Sequence, residues 1–221
     1  MSTLKTPFRY DFVGSFLRPQ ILKDSKKKLK NGEIQKDEYD KIVNEEITKL
    51  VAKQKKLGFH AITDGEFRRT FWHLDFMWGF EGVEHEDTGN GVKFDAELAK
   101  LDDTYLVGKI KAKAHPFVEY FKFLKQFEDE NTVAKYTIPA PAQTFQQFIV
   151  PNNIEGTRKF YADNDELIKD IAEKNHIICY DVYTGFKWIA REIRLREGKK
   201  KYIGGGEESY GFLAEDFVRD K

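Results

Sequence analysis

The chain has 221 residues, enough for one large domain or two small ones, and 40% of them are hydrophobic and 14% aromatic, which supports a buried core and excludes a disordered chain. Lys plus Arg and Asp plus Glu both number 37, so the net charge is zero and no global basic field favours nucleic acid or an anionic membrane. The single cysteine, Cys179, excludes an internal disulfide, and no segment approaches the roughly 20 apolar residues of a membrane helix. Without an apolar signal stretch between Met1 and Tyr10, the expected location is cytoplasmic.

Asp11 to Phe16 is a short apolar run closed by Gly14-Ser15, which predicts a buried strand and its exit loop. Pro19 suits the first turn of a helix that runs to the stop signal Asn31-Gly32. Lys26-Lys27-Lys28 on that helix is read as a solvated face, with a phosphate contact as the other reading. From Lys36, the residues Ile42, Val43, Glu46, Ile47, Leu50, Val51 and Gln54 follow the helical period, and Gly58 ends it. Phe59 to Thr63 then predicts a strand leading into Asp64-Gly65-Glu66. Strand, helical crossover and strand make a βαβ unit of a parallel sheet. Ligands gather at the carboxyl ends of such strands, where Ser15 and Asp64-Gly65-Glu66 both fall.

Between Trp78 and His115, short alternating runs such as Val92 to Phe94 and Tyr105 to Ile110 predict inserted β-hairpins. Pro116 to Glu128 predicts a helix and Val133 to Ile138 a strand, which Pro139-Ala140-Pro141-Ala142 closes as a stiff loop. Asp163-Asn164-Asp165 caps a helix from Glu166 to about Lys174. His176 to Val182 predicts a strand and Gly185 to Glu197 a helix; the abrupt end at Asp220-Lys221 reads as a truncated chain.

Four motifs carry a resemblance. Val13-Gly14-Ser15-Phe16-Leu17-Arg18-Pro19 resembles the first-strand motif of the cobalamin-independent methionine synthase barrel. Thr63-Asp64-Gly65-Glu66-Phe67-Arg68-Arg69, with Trp72 to Phe76, resembles the second-strand motif of its shorter bacterial relatives. Ile138 to Ala142 and Asn153 to Tyr161 also fit that group. The resemblance covers residues 1 to about 170 and implies the opening part of a (β/α)8 barrel. It also implies methyl transfer from methyltetrahydrofolate to homocysteine, in methionine biosynthesis. The Gly14-Ser15 turn would meet the amino-acid end of homocysteine, and Glu66, read as an exposed carboxylate, would pair with its ammonium. Arg68 and Arg69 are of the type that grips carboxylates, for a folate tail or for a surface ion pair. Asp64-Gly65 also suits a plain turn, Glu66 a solvated carboxylate, and His73 a packed histidine. His85 and His115 fall in expected loops and carry no motif.

The pattern then breaks. The family holds zinc with one His, two Cys and one Glu from later strands, and zinc turns the thiol into a thiolate. Here no second cysteine accompanies Cys179, which is read as a buried structural residue, so no cofactor site is expected in this chain. A complete barrel takes about 250 residues. The tail resembles the third domain of a phosphoglucomutase/phosphomannomutase, through Ile171 to Asn175, Asp181 to Ile189 and Gly206-Glu207-Glu208-Ser209-Tyr210-Gly211-Phe212. That match would place Glu207 and Ser209 at a sugar-reading loop. The mutase's phosphoserine, magnesium and phosphate-binding loops are not found, so mutase activity is not expected.

The expected architecture is therefore α/β: an incomplete (β/α)8 TIM-type barrel with a β-hairpin insertion over 1–170, then a short α/β mutase-like tail over 171–221. The junction is expected between Asp163 and Lys174. The site residues expected for substrate are Gly14, Ser15, Asp64, Glu66 and Arg68. Three functional readings follow: a homocysteine S-methyltransferase completed by a partner chain, a homocysteine- or amino-acid-binding module, and a non-catalytic hybrid. For turnover the reading is the hybrid. Open barrel edges would favour self-association.

Overall fold

Pro19 lacks an N–H and precedes the helix α1, Gln20–Lys30, where no helical bond is lost. Asn31 caps its C-terminus, and Gly32 takes the left-handed φ of 73° that ends it. The second helix, α2, spans Lys36–Lys56 and buries Val43, Ile47 and Val51, four residues apart on one stripe. These three are at most 1% exposed, and burial of each such side chain is worth about 1.5–3 kcal/mol. With Leu22, Tyr39, Ile62, Phe67 and Leu124 they form one hydrophobic core.

The computed structural model describes residues 12, 14–87, 91–94, 97–100, 103–139 and 141–173, and in the tail 191, 194–195, 205–206 and 212–213. The chain divides into two compact units, Met1–Asp75 with Ala114–Ile138, and Phe76–Lys113 with Pro139–Lys221. In the first unit, α2 leads to the short strand β1, Ala61–Ile62, and the single-turn helix α3, Leu74–Met77, follows at its boundary. After the hairpins of the second unit the chain returns, through helix α4, Pro116–Lys125, to a later strand, Val133–Ala134. That strand pairs with β1 in parallel, Ala61 opposite Val133 and Ile62 opposite Ala134.

The second unit carries the expected hairpins. Strand β2, Glu81–Glu86, is followed by β3, Gly91–Phe94, β4, Glu97–Lys100, and β5, Asp103–Lys111. The outer pair β2–β5 and the inner pair β3–β4 are both antiparallel. At the β2 bulge Gly82 has φ 87°, and a Cβ there would stand 2.5 Å from the Lys109 carbonyl oxygen, so a glycine is required. The later strand Val133–Ala134 is β6 in chain order, and the helices α5, Pro141–Ile149, α6, Pro151–Thr157, and α7, Asn164–Glu173, come after it. Asn153 Nδ2 donates to the carbonyl oxygens of Thr104 and Gln147, both at 2.8 Å, and ties α6 to β5 and α5. The Tyr161 hydroxyl accepts from the Ile110 N–H at 2.8 Å and donates to Asp170 at 2.6 Å. Burial and the Asp170 carboxylate push the Tyr161 phenol upward. In the tail, β7, Gly205–Gly206, pairs antiparallel with β8, Phe212–Leu213.

Three expectations are corrected. Residues 14–16 form no strand, and Gly14 and Ser15 are exposed, because this segment gains a single backbone bond to Gly65 rather than a ladder. The stiff loop at Pro139 to Ala142 gives way to α5 at Pro141, where proline tolerates a first helical turn. The strand expected over Val133 to Ile138 pairs only through Val133–Ala134. The expected strand at His176 to Val182 lies outside the described residues, as do Cys179, Glu207 and Ser209. Among the described residues the strands form four two-stranded sheets in a mixed α/β fold.

Candidate functional site

The site is built where β1 and β6 end. Gln54 of α2 holds the exit from β1: its Oε1 accepts from the Thr63 N–H at 2.9 Å, and its Nε2 donates to the Thr63 carbonyl at 2.8 Å. A side-chain amide thus replaces a strand partner just before Asp64. The turn is tight. Gly65 has φ 65°, and a Cβ there would meet Leu50 Cδ2 at 2.5 Å. Glu66 has φ 58°, the one left-handed non-glycine among the described residues. Asp64 Oδ1 accepts from the Glu66 N–H at 2.9 Å and fixes that conformation. Left-handed backbone at a non-glycine residue is stored at sites that need a particular side-chain direction.

The first and second motifs meet here. The Phe16 N–H donates to the Gly65 carbonyl at 3.1 Å, which places the Gly14-Ser15 turn beside Asp64-Gly65-Glu66. Arg18 Nη2 donates to the carbonyl oxygens of Glu66 and Arg69, at 3.0 and 2.9 Å. Arg68 is turned toward other elements: it donates to Asn44 on α2, and its guanidinium stacks over Tyr120, 4.8 Å from the ring centre, and Phe123 on α4.

Glu66 is corrected from an exposed to a buried carboxylate, because the turn points it inward against Arg69. Its side chain is 7% exposed and that of Arg69 1%, and Arg69 Nη1 lies 3.2 Å from Glu66 Oε1. Thr137, three residues past β6, donates its hydroxyl to the same oxygen at 2.8 Å. Arg69 also donates to the carbonyl oxygens of Trp72, at 3.1 Å, and Thr137, and it stacks over Phe117 and Tyr136, at 4.6 and 5.0 Å. Burial, and then the Asp64 charge, push the Tyr136 phenol upward, with Arg69 opposing. Half-buried His73 is held below its ordinary range by burial, with Asp75 opposing. Asp75 itself accepts from the Thr70 and Phe71 N–H groups, at 2.8 and 2.7 Å, and folds the loop after Arg69.

Sequence reasoning missed Tyr136, Thr137 and the roles of Arg18 and Arg69. The rule that selects Asp64, position at a strand's carboxyl end, also selects Tyr136 and Thr137 once β6 is known to be parallel to β1. Zinc is a poor fit to these groups. Among the described residues no three His, Cys, Asp or Glu side chains gather as a metal site, and the rim offers carboxylates, hydroxyls and guanidinium groups without sulfur. No described helix is long and apolar enough to cross a membrane.

Comparison with known proteins divides the chain in two. The family described as "Cobalamin-independent synthase, Catalytic domain" matches residues 10–85, and "Phosphoglucomutase/phosphomannomutase, alpha/beta/alpha domain III" matches residues 164–221. An uncharacterized Bacillus subtilis protein, YxjH, is 36% identical over 169 residues, which is 76% of this chain and 43% of that protein. A Staphylococcus aureus phosphoglucomutase is 50% identical over 58 residues, 26% of this chain and 10% of the mutase. A solved Listeria monocytogenes structure, assigned provisionally as a vitamin-B12 independent methionine synthase, aligns with TM-score 0.56 and 35% identity, covering 79% of this chain and 50% of that one. The chain spans less than half the length of these curated relatives. Its first part is thus similar in sequence and mixed α/β fold to the cobalamin-independent methionine synthases, and its last part is similar to domain III of the phosphoglucomutases.

Proposed function

We propose that residues 1 to about 170 are part of an incomplete (β/α)8 barrel of methionine synthase type, whose strand-end rim binds the amino-acid end of homocysteine. On this reading these 221 residues do not by themselves assemble the family's methyl-transfer centre. One observation carries the reading: two motifs separated by the helices α1 and α2, Gly14-Ser15 and Asp64-Gly65-Glu66, are joined backbone to backbone through Phe16 and Gly65. The rim then has an exposed serine hydroxyl and glycine backbone beside two carboxylates. That is a chemistry suited to a small zwitterion. Arg68 borders the turn but is held by Asn44, so its contribution to a folate tail requires a side-chain change.

Methyl transfer to a thiol needs the thiolate, and the family's zinc supplies it. The chain has one cysteine, Cys179, so the His, two Cys and Glu set of the family is not assembled from its own residues. The activity belongs to the family, with homocysteine and methyltetrahydrofolate as its substrates, and this chain keeps a binding rim. A cytoplasmic location, absence of nucleic-acid and membrane partners, and self-association through open strand edges accompany this reading. The mutase-like tail, joined near residue 170 within α7, contributes no mutase chemistry, and Glu207 and Ser209 remain its sugar-loop candidates.

The test is a pair of assays on the purified chain. Mass spectrometry follows methionine formation from homocysteine and methyltetrahydropteroyltriglutamate in the presence of zinc, and thermal melting follows homocysteine binding. The expected result is no methionine above the protein-free control and a rise in melting temperature, since ligand at 100 times its Kd stabilises by about 2.7 kcal/mol. Zinc-dependent methionine formation would overturn the non-catalytic part, and no thermal shift would overturn the binding part.

A further inference from the structure

A parallel pair of strands has two outer edges, and an edge offers its N–H and C=O groups to any further strand. In the β1–β6 pair, the N–H groups of Val133 and Lys135 donate to the carbonyl oxygens of His60 and Ile62, both at 2.8 Å. Backbone groups alternate sides along a strand, so the N–H and C=O of Ala134 point away from β1. On the far side of β1, Gln54 already holds the N–H and C=O of Thr63. The outer edge of β6 is held by a carboxylate. Glu128 Oε1 accepts from the Ala134 N–H at 3.0 Å, and Glu128 Oε2 lies 3.7 Å from Lys125 Nζ. The Asp129 N–H donates to the Thr132 carbonyl at 3.3 Å, so Glu128 and Asp129 together stand where a neighbouring strand would. No described group donates to the Ala134 carbonyl.

We infer that Glu128 is an autoinhibitory cap on the outer edge of β6, and that the partner it holds off is the same edge of a second copy of this chain. In an antiparallel pair, two residues directly opposite each other exchange both N–H···O=C bonds. A two-fold contact centred on Ala134 pairs that residue with its own copy, through the N–H and C=O that it points outward. Such an edge complements itself. It sets Val133 opposite Lys135 and Thr132 opposite Tyr136, with no like charges face to face. The Ala134 N–H is the donor in both bonds of the exchange, so a carboxylate on it blocks the whole contact. The Glu128 side chain is 30% exposed, so this cap reaches solvent. The inference rests on the self-association named above, assigns it one edge and one brake, and is independent of homocysteine binding.

Sedimentation equilibrium of the full chain over a range of concentrations reads the cap. Glu128→Ala removes the acceptor and should tighten the dimer dissociation constant about tenfold, the gain from two exchanged hydrogen bonds. Glu128→Gln keeps a side-chain oxygen for the Ala134 N–H and should associate as the wild type does. Adding Ala134→Pro to Glu128→Ala removes that N–H without touching a bond to β1, and should return association to the wild-type level. Unchanged association in Glu128→Ala, or tighter association that Ala134→Pro leaves in place, would overturn the inference and leave self-association to other edges. A monomer in every variant at every concentration would overturn self-association as well. Where Glu128→Ala does not fold, amide exchange in the wild type decides. The Ala134 N–H should be protected to the same degree at low and high protein concentration. An unprotected Ala134 N–H, or protection that grows with concentration, would overturn the inference.

Discussion

Arg69 Nη1 lies 3.2 Å from Glu66 Oε1, and the two buried side chains, three residues apart, close the turn that leaves β1. The arrangement joins local and distant chain, because Thr137 donates to the same carboxylate from 71 residues away. Charge, burial and a left-handed backbone at Glu66 are therefore one structure. The turn is thus fixed in place by side chains from both parts of the chain.

Removing Arg69 should be costly. Arg69→Met leaves the Glu66 carboxylate buried beside Thr137 alone and frees the carbonyl oxygens of Trp72 and Thr137. Breaking a buried pair from one side costs about 3–5 kcal/mol, read by urea unfolding. The double variant Arg69→Met/Glu66→Gln should recover part of that loss, since no unpaired charge remains. Arg69→Lys should not rescue, because an ammonium lacks the planar fork that reaches several acceptors at once.

Tyr161 tests how α7 is held to β5. Tyr161→Phe strips a partner from both the Ile110 N–H and Asp170. The expected destabilisation is about 1 kcal/mol, the typical net worth of a hydrogen bond, again by urea unfolding. An unchanged midpoint would mean that α7 is not anchored through this hydroxyl.

His73 should give stability a dependence on pH. Its imidazole is held below the ordinary range by burial, so the unfolded chain takes up the proton first as pH falls. The contribution is complete above the unfolded value, near 6.5, and is lost as pH falls through the lower folded value. Thermal midpoints from pH 7.5 to 5 should decline in the wild type and decline less in His73→Phe. Parallel curves would contradict the assignment.

Asp129 offers a site-specific check in the first unit. Hydrogen bonds from Lys55, Thr132 and the Asn131 N–H hold its carboxyl down to about 2. Its stabilising effect is present above the ordinary carboxylate value, about 3.9, and is lost as pH falls toward 2. Carboxyl carbon NMR should locate the titration there, and Lys55→Met should move it up toward the ordinary range.

The helices were legible because their signals are local. Val43, Ile47 and Val51 repeat at the helical period, Asn31-Gly32 ends α1, and the Asp163 carboxylate accepts from the Glu166 N–H at 2.8 Å at the start of α7. The hairpin region was legible from alternation. The start of α5 was not, because Pro139 and Pro141 read as a loop when a proline also fits a first turn. Ser15 was expected at the end of a strand that residues 14–16 do not form, and it comes beside Asp64-Gly65-Glu66 through the Phe16–Gly65 bond instead. The engagement of Glu66 was hidden, because its hydroxyl partner Thr137 lies far along the chain and no spacing rule links them. Residue type alone left Glu66 looking exposed, when the turn's backbone aims it at Arg69.

The most direct measurement is calorimetric titration of the monodisperse chain with L-homocysteine, once with a chelator and once with added zinc. The account predicts saturable binding of equal affinity in both conditions, because the proposed site would read the amino-acid end through Gly14, Ser15 and the carboxylates of the turn and would need no thiolate. Absence of binding in both conditions, or binding that appears only with zinc, would contradict it.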